Sequence, residues 1–155
     1  MPVYELTKMV HVVAVCMMVG ATLCNGLLHM IVMRANAPQS ATVTLSNIMT
    51  VNRVIMAPAF IGIVASGLAM AFQAGFAFSE FWLLVSILLT AALIAGFIGG
   101  YGLERQLERI AEIAKSKGEE ALPDRYWSVV RRAVPVGAGA AAASVAVIYL
   151  MIAKP

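Results

Sequence analysis

Two histidines on one segment are the residues best suited to chemistry. His11 and His29 are the only histidines of the chain, and 18 residues separate them. In an α-helix this spacing makes five full turns and about 27 Å of rise, which brings both side chains to one face at opposite edges of a bilayer. Thr22 and Asn25 fall on the same face. Since polar groups are costly in contact with lipid, we expect this stripe to face the interior of a helix bundle.

The segment 54–79 supplies methionines at matching depths. We expect Met70 near the depth of His11, and Met56 near that of His29, because consecutive spans run in opposite directions. A histidine nitrogen and a methionine thioether form a known axial pair for haem iron, and the same soft donors suit Cu(I). The pattern therefore indicates cofactor sites for haem b or copper, with His11 and Met70 as the metal ligands of the outer one.

Two cations complete this hypothesis, and a structural alternative stands beside it. Lys8 and Arg53 lie one near each membrane edge, where a long basic side chain can hold a propionate or another anionic group. The alternative is that the methionines fill irregular gaps and the histidines only form hydrogen bonds at the interface. Since both histidines lie on one helix, bis-histidine ligation would need a dimer.

Four long apolar segments must position these residues. The 155 residues are 61% hydrophobic and only 12% charged, against about 25% charged in an ordinary soluble domain. Aspartate, glutamate, lysine and arginine are absent from the runs 9–33, 54–79, 81–103 and 133–153. Each run exceeds the roughly 18–20 apolar residues that cross a bilayer as a helix. We predict an all-α integral membrane four-helix bundle, one transmembrane domain over 1–155, with spans at about 6–33, 54–76, 81–103 and 133–153.

The distribution of lysine and arginine predicts the orientation of the chain. The connections 34–53 and 104–132 share one side of the membrane in this arrangement, and the termini share the other. The first side holds nine basic residues: Arg34, Arg53, Arg105, Arg109, Lys115, Lys117, Arg125, Arg131 and Arg132. The other side holds Lys8 and Lys154. Under the positive-inside rule both termini are expected outside a bacterial inner membrane. The basic excess then serves topology and contact with anionic lipid, and no nucleic-acid partner is implied.

The third segment carries two further patterns. Ala92, Gly96 and Gly100 recur at every fourth residue, and small residues at this spacing allow close helix packing within the bundle or in a homodimer or larger complex. Beyond the span, Leu103, Leu107, Ile110 and Ala114 form one apolar stripe, while Glu104 is expected on the polar side. We therefore predict a helical cytoplasmic extension that stops near Gly118.

Several short motifs resemble a broad group of small bacterial four-helix membrane proteins. The motifs are Lys8-x-x-His11, the far-end His29, Arg53 followed by Pro58 (where a kink is expected), and Phe81-Trp82-Leu83. The nearest resemblance in length and layout is to an uncharacterised family, a domain of unknown function. More distantly the chain is similar to the membrane-embedded protoporphyrinogen oxidase and to the copper-resistance membrane domain. The oxidase resemblance implies a haem-associated role for His11, although Ser86 stands where that family has lysine.

Three functions remain open at this point. The first is a haem- or copper-binding redox protein built on the histidine stripe. The second is a non-catalytic accessory subunit of a membrane complex, favoured by the small-residue faces. The third is a transporter of a small solute along a polar seam formed by Thr22, Asn25, Asn52 and Gln73.

Overall fold

Four long helices form nearly the whole of the computed structural model, which describes residues 3–154. The helices are α1 (Val3–Ala35), α2 (Pro38–Ala74), α3 (Phe81–Ser116) and α4 (Asp124–Ala153). Each is long and apolar enough to cross a membrane, and no strand occurs within residues 3–154. The predicted all-α four-helix membrane architecture is confirmed.

The helices alternate in direction and pack mainly on their neighbours in the chain. α1 packs on α2, the first half of α2 packs on α3, and α3 packs on α4. The connections 36–37 and 117–123 lie at one end, called the basic end here because nine of the eleven lysines and arginines belong to that half of the topology. The termini and the connection 75–80 lie at the other, the terminal end.

The helix ends follow from local backbone chemistry. Gly75 and Gly118 both have φ of +69°, the left-handed conformation that glycine adopts at little steric cost and that commonly terminates a helix. α3 ends at Ser116, next to Gly118, so the predicted extension of the third helix and its stop are confirmed. Most of its expected stripe is buried as well, since Leu107, Ile110 and Ala114 all belong to the core and Leu103 is half-buried.

α2 begins well before the expected span. The connection predicted over 34–53 is helical from Pro38 onward, and only Asn36 and Ala37 interrupt the helices on either side. Proline fits the first turn of a helix because the amide hydrogen that it lacks would be unpaired there. The buried face of this part of α2 consists of Ala41, Leu45, Ile48 and Met49, at the spacing of an amphipathic helix that the charge-free runs did not reveal.

A π-helical turn lies directly before Pro58, where a kink is expected. Residues Asn52–Met56 form this turn, and the Ala57 amide donates to the Asn52 carbonyl five residues back. Proline cannot donate to the carbonyl four residues before it and crowds that position, so a widened turn next to Pro58 relieves the conflict. Such turns shift the register of the helix faces and occur often at functional sites.

The basic end holds the most completely buried cluster. Its fully buried members come from all four helices and are Val32, Ala41, Leu45, Ile48, Leu107, Ala111 and Tyr126. A second cluster, around Met18, Phe60 and Leu93, lies deeper in the apolar spans. The helices are therefore joined most tightly beyond the polar edge of the spans, at the basic end.

Close backbone packing occurs between α1 and α2 rather than on the predicted stripe of α3. A Cβ atom added to Gly62 would lie 3.2 Å from the Ala14 Cβ, and one added to Gly67 would lie 3.2 Å from the His11 Cε1. By contrast, Gly96 and Gly100 have nothing within 4 Å of an added Cβ. Within the described residues, the close approach expected from the stripe of Ala92, Gly96 and Gly100 is therefore not made at the two glycines.

Candidate functional site

A cavity of about 650 Å³ lies among the four helices. Most of its wall is apolar, with side chains such as Met18, Phe60 and Leu93. The small residues of α3 and α4, among them Gly96 and Gly137, also line it. Their lack of side chains creates the space, so the small-residue faces found in the sequence serve this large cavity.

Four polar side chains interrupt the apolar wall and form what we call the polar cluster: Asn25 and His29 of α1, Asn52 of α2 and Glu104 of α3. The Asn25 Nδ2 donates to the Asn52 Oδ1 at 2.8 Å, and the Asn52 Nδ2 donates to the Glu104 Oε2. The His29 Nε2 lies 3.5 Å from the Glu104 Oε1. All four residues line the large cavity.

Burial makes this cluster costly unless it is paired. Asn25 is 7% exposed and Asn52 only 2%, and the Glu104 side chain is 15% exposed. A buried amide or carboxylate without a partner destabilises the fold by several kcal/mol in an apolar medium, on the order of 2–7 kcal/mol for an amide. The cluster satisfies most of these groups, but the Asn25 Oδ1 has no hydrogen-bond partner within the described chain.

Local structure explains how three helices converge at this point. Asn25 and His29 are one helical turn apart on α1, so both face the same side. Asn52 is the first residue of the π turn of α2, which turns its amide toward the interior. Glu104 continues the four-residue spacing of Gly96 and Gly100 on α3, and it therefore lies on the face that borders the large cavity.

Arg53 lies beside the site and not inside it. Its Nε donates to the Tyr101 hydroxyl at 2.8 Å, and its guanidinium carbon is 5.9 Å from the Tyr101 ring centre. Tyr101 lines the large cavity, whereas Arg53 is solvent-exposed and does not. The cation predicted to hold a propionate thus donates one hydrogen bond to a tyrosine at the edge of the cavity.

His11 belongs to a smaller cavity of about 330 Å³ toward the terminal end. Its Nδ1 is 3.0 Å from the Ser66 Oγ, and the Ser66 hydroxyl donates to the Gly62 carbonyl. When the serine hydroxyl donates to Gly62, the histidine donates to the serine from Nδ1. The methionines that line this small cavity are Met18 and Met151.

The structure brings together one of the two predicted histidine–methionine pairs. His29 and Met56 both line the large cavity. His11 and Met70 share no cavity, and Met70 is half-buried on α2 outside the wall of the small one. Lys8 is exposed on the first turns of α1. Within residues 3–154, no group of three or more His, Cys, Asp or Glu side chains is placed to hold a metal ion.

Glu104 is a residue of the polar cluster that the sequence pattern did not identify. We expected it on the polar side of the α3 extension, but it turns inward to Asn52. The stripe of Leu107, Ile110 and Ala114 defines a different face of the same helix, so it gives no indication that Glu104 faces the cavity. A signal was present in the regular spacing of Gly96, Gly100 and Glu104.

Comparisons with known proteins place the chain in a family but identify no characterised relative. A family model described as "Predicted integral membrane protein (DUF2269)" matches residues 5–155. Neither the curated proteins nor the solved structures contain a match to the chain. Four apolar helices agree with the family description. Because the match covers nearly the entire sequence, the chain belongs to the DUF2269 family of predicted integral membrane proteins.

Proposed function

We propose that this protein binds an amphiphilic, mainly apolar molecule inside the membrane. The molecule occupies the large cavity, with its polar group toward the polar cluster of Asn25, His29, Asn52 and Glu104. One observation carries the proposal: a connected set of buried polar groups lies on the wall of an otherwise apolar cavity of about 650 Å³. Ligand sites typically have volumes of about 300–1,000 Å³ and combine an apolar wall with a few convergent polar groups.

The cost of the polar cluster supports a functional role. Ionisable residues at membrane depth are expensive and usually mark a binding site or a pathway. Glu104 of α3 pairs with His29 of α1 and with the side-chain amide of Asn52 on α2, and neither contact completes a helix end. If these residues only packed the helices together, apolar side chains of similar volume would do so at a lower cost in free energy.

The small residues also fit a binding protein better than an accessory subunit. Gly96, Gly100 and Gly137 line the large cavity, so within this chain they make room for a guest molecule. A transporter of the same molecule would bind it at the same cavity wall. The proposal therefore concerns binding, a step that a storage protein and a transporter have in common.

The orientation proposal follows from charge. With nine basic residues in the half that holds the basic end, the positive-inside rule puts this end in the cytoplasm of a bacterial inner membrane and both termini outside. The polar cluster then lies near the inner leaflet, because Glu104 directly follows the third charge-free run.

Haem b is the second candidate for the ligand, and it is favoured by the presence of His29 and Met56 in one cavity wall. The donor types suit haem iron. The rest of the site fits less well: the His29 Nε2 is turned toward Glu104 at 3.5 Å, and no lysine or arginine lines the cavity to pair with propionates. We therefore rank haem below a neutral amphiphile and assign it no step.

Copper fits the described residues least well. Soft donors are present, but His11 and Met70 do not share a cavity, and His11 is bonded to Ser66. The predicted outer metal site thus has no geometric support beyond the histidine itself.

Ligand extraction from matched variants tests the proposed function. The purified full chain is extracted with organic solvent, and the extract is compared with the bulk lipid by mass spectrometry. Gly96→Leu places a large side chain in the cavity wall, whereas Gly99→Leu makes the same change on an exposed position of α3 outside that wall. We expect a molecule enriched over bulk lipid in wild type and in Gly99→Leu, and depleted in Gly96→Leu. No enrichment in wild type, or equal enrichment in both variants, would contradict the proposal.

A further inference from the structure

The direction of the hydrogen bonds in the polar cluster is determined by Glu104. An ionised carboxylate only accepts hydrogen bonds, so Asn52 must present its amide nitrogen to it. The Asn52 oxygen is then the atom that faces Asn25, which must donate in turn. This order leaves the Asn25 oxygen, and not its nitrogen, as the group without a partner. The cluster therefore ends in an unused acceptor.

The hydroxyl groups of the cavity wall likewise present acceptors to a ligand. Thr22 donates to the Met18 carbonyl, and Ser144 donates to the Ala140 carbonyl. Both residues line the large cavity, and with their hydrogens used they offer only lone pairs to a ligand. Backbone amides along these helices are engaged within the helices themselves.

The donors of this wall come from the polar cluster itself, because each amide nitrogen of Asn25 and Asn52 has a second hydrogen besides the one used in the cluster. Among the described residues, no lysine or arginine lines the large cavity. The one hydroxyl hydrogen left over belongs to Tyr101, whose oxygen accepts from Arg53 at the edge of the site. The acceptors of the wall that can take a further hydrogen bond are the Glu104 carboxylate, the Asn25 oxygen and the two hydroxyl oxygens.

From the unpaired Asn25 oxygen and the Glu104 carboxylate we infer that the ligand's polar group is a hydrogen-bond donor, and specifically a hydroxyl on an apolar body, which can also accept from a remaining amide hydrogen. This inference rests on the proposed function and names its ligand class. The hydroxyl donates to the partly exposed Glu104 carboxylate, and the Asn25 oxygen is the second acceptor once a small side-chain movement uncovers it. A ketone, ester or ether of the same shape brings only acceptors, so it would leave the Glu104 carboxylate and the Asn25 oxygen without the added donor.

The expected selectivity is large enough to measure. A site built to accept a hydrogen bond rejects an analogue that lacks the donor, because buried polar groups are then left unsatisfied. Discrimination of about tenfold or more between a hydroxyl compound and its methyl ether is expected from one such bond.

A competition assay with a matched pair of probes tests this inference. The full chain, purified in detergent and immobilised, is loaded with tritiated farnesol, which is displaced by unlabelled farnesol or by farnesyl methyl ether. The two competitors share their apolar body and differ in one donor hydrogen. The ether should displace the label about tenfold less well, after correction for partition into protein-free micelles.

The variant Glu104→Gln adds a readout that a merely structural role would not give. A glutamine can donate to Asn52, which releases the constraint on the direction of the cluster and allows the Asn25 nitrogen to become the free group. The preference for alcohol over ether should then fall toward one. The control is Glu108→Gln, the same change one turn along α3 and outside the cavity wall, which should keep the preference.

The outcomes separate this inference from the proposed function. Equal displacement by alcohol and ether, with binding of both abolished by Gly137→Leu and kept by Gly139→Leu, would overturn the inference and leave the proposed function standing. No displaceable binding in wild type would overturn both. The wild-type ratio decides the inference even where Glu104→Gln yields no folded protein.

Discussion

Asn52 donates a hydrogen bond to the carboxylate of Glu104, although 52 residues separate the two in the chain. The bond ties the π turn of α2 to α3 at the wall of the large cavity. It also decides which atom of Asn25 is left without a partner. One contact thus contributes to the stability of the bundle and to the chemistry of its cavity.

Replacing Asn52 by leucine should destabilise the bundle by about 1–3 kcal/mol, because Asn25 and Glu104 would each lose a buried partner. Thermal unfolding in detergent, followed by tryptophan fluorescence, measures the loss. Asn47→Leu is the matched control, since Asn47 is exposed on the same helix. Equal unfolding temperatures for the two variants would show that the cluster adds nothing to stability.

Gly62→Leu should disrupt the packing of α1 on α2, because even a Cβ atom there would lie 3.2 Å from Ala14. Overpacking of this kind costs about 1–3 kcal/mol. Gly20→Leu provides the comparison, with no atom within 4 Å of an added Cβ. The measurement is again thermal stability, together with the elution profile on size exclusion. An unaffected Gly62→Leu variant would contradict the close approach of the two helices.

The orientation of the chain can be read with reporter fusions. A periplasm-active reporter should work when fused to the C-terminus, and a cytoplasm-active one when inserted after Gly118, since the basic connections are expected inside. A cytoplasmic signal from the C-terminal fusion would reverse the proposed topology, and with it the leaflet assigned to the polar cluster.

Absorption spectroscopy distinguishes haem from a neutral amphiphile. Haem ligated in the large cavity would give a Soret band that disappears in His29→Ala and persists in His11→Ala, because only His29 lines that cavity. The neutral-amphiphile proposal expects wild type produced with ample haem to purify without this band. A stoichiometric band with the stated dependence on His29 would make haem the ligand.

The architecture could be predicted from the sequence because lipid imposes long apolar runs, and the run over 81–103 with its amphipathic continuation appears directly as α3. The first half of α2 was missed, since its buried face around Leu45 is mixed with polar residues and lacks a charge-free run. Helical periodicity correctly predicted an interior face for Asn25. Which residue contacts His29, however, depends on how α1, α2 and α3 are rotated about their axes. A π turn changes one of those rotations by an amount that no spacing rule supplies.

The buried cluster at the basic end closes the large cavity on the side that faces this end. Leu107 and Val130 belong both to that cluster and to the cavity wall, so the densely packed base directly seals one side of the space. The proposed ligand cannot enter from the aqueous phase at the basic end unless the four helices separate there. On the proposed function, this favours a route between helices from the bilayer, along which the supply of the ligand depends on its concentration in the membrane.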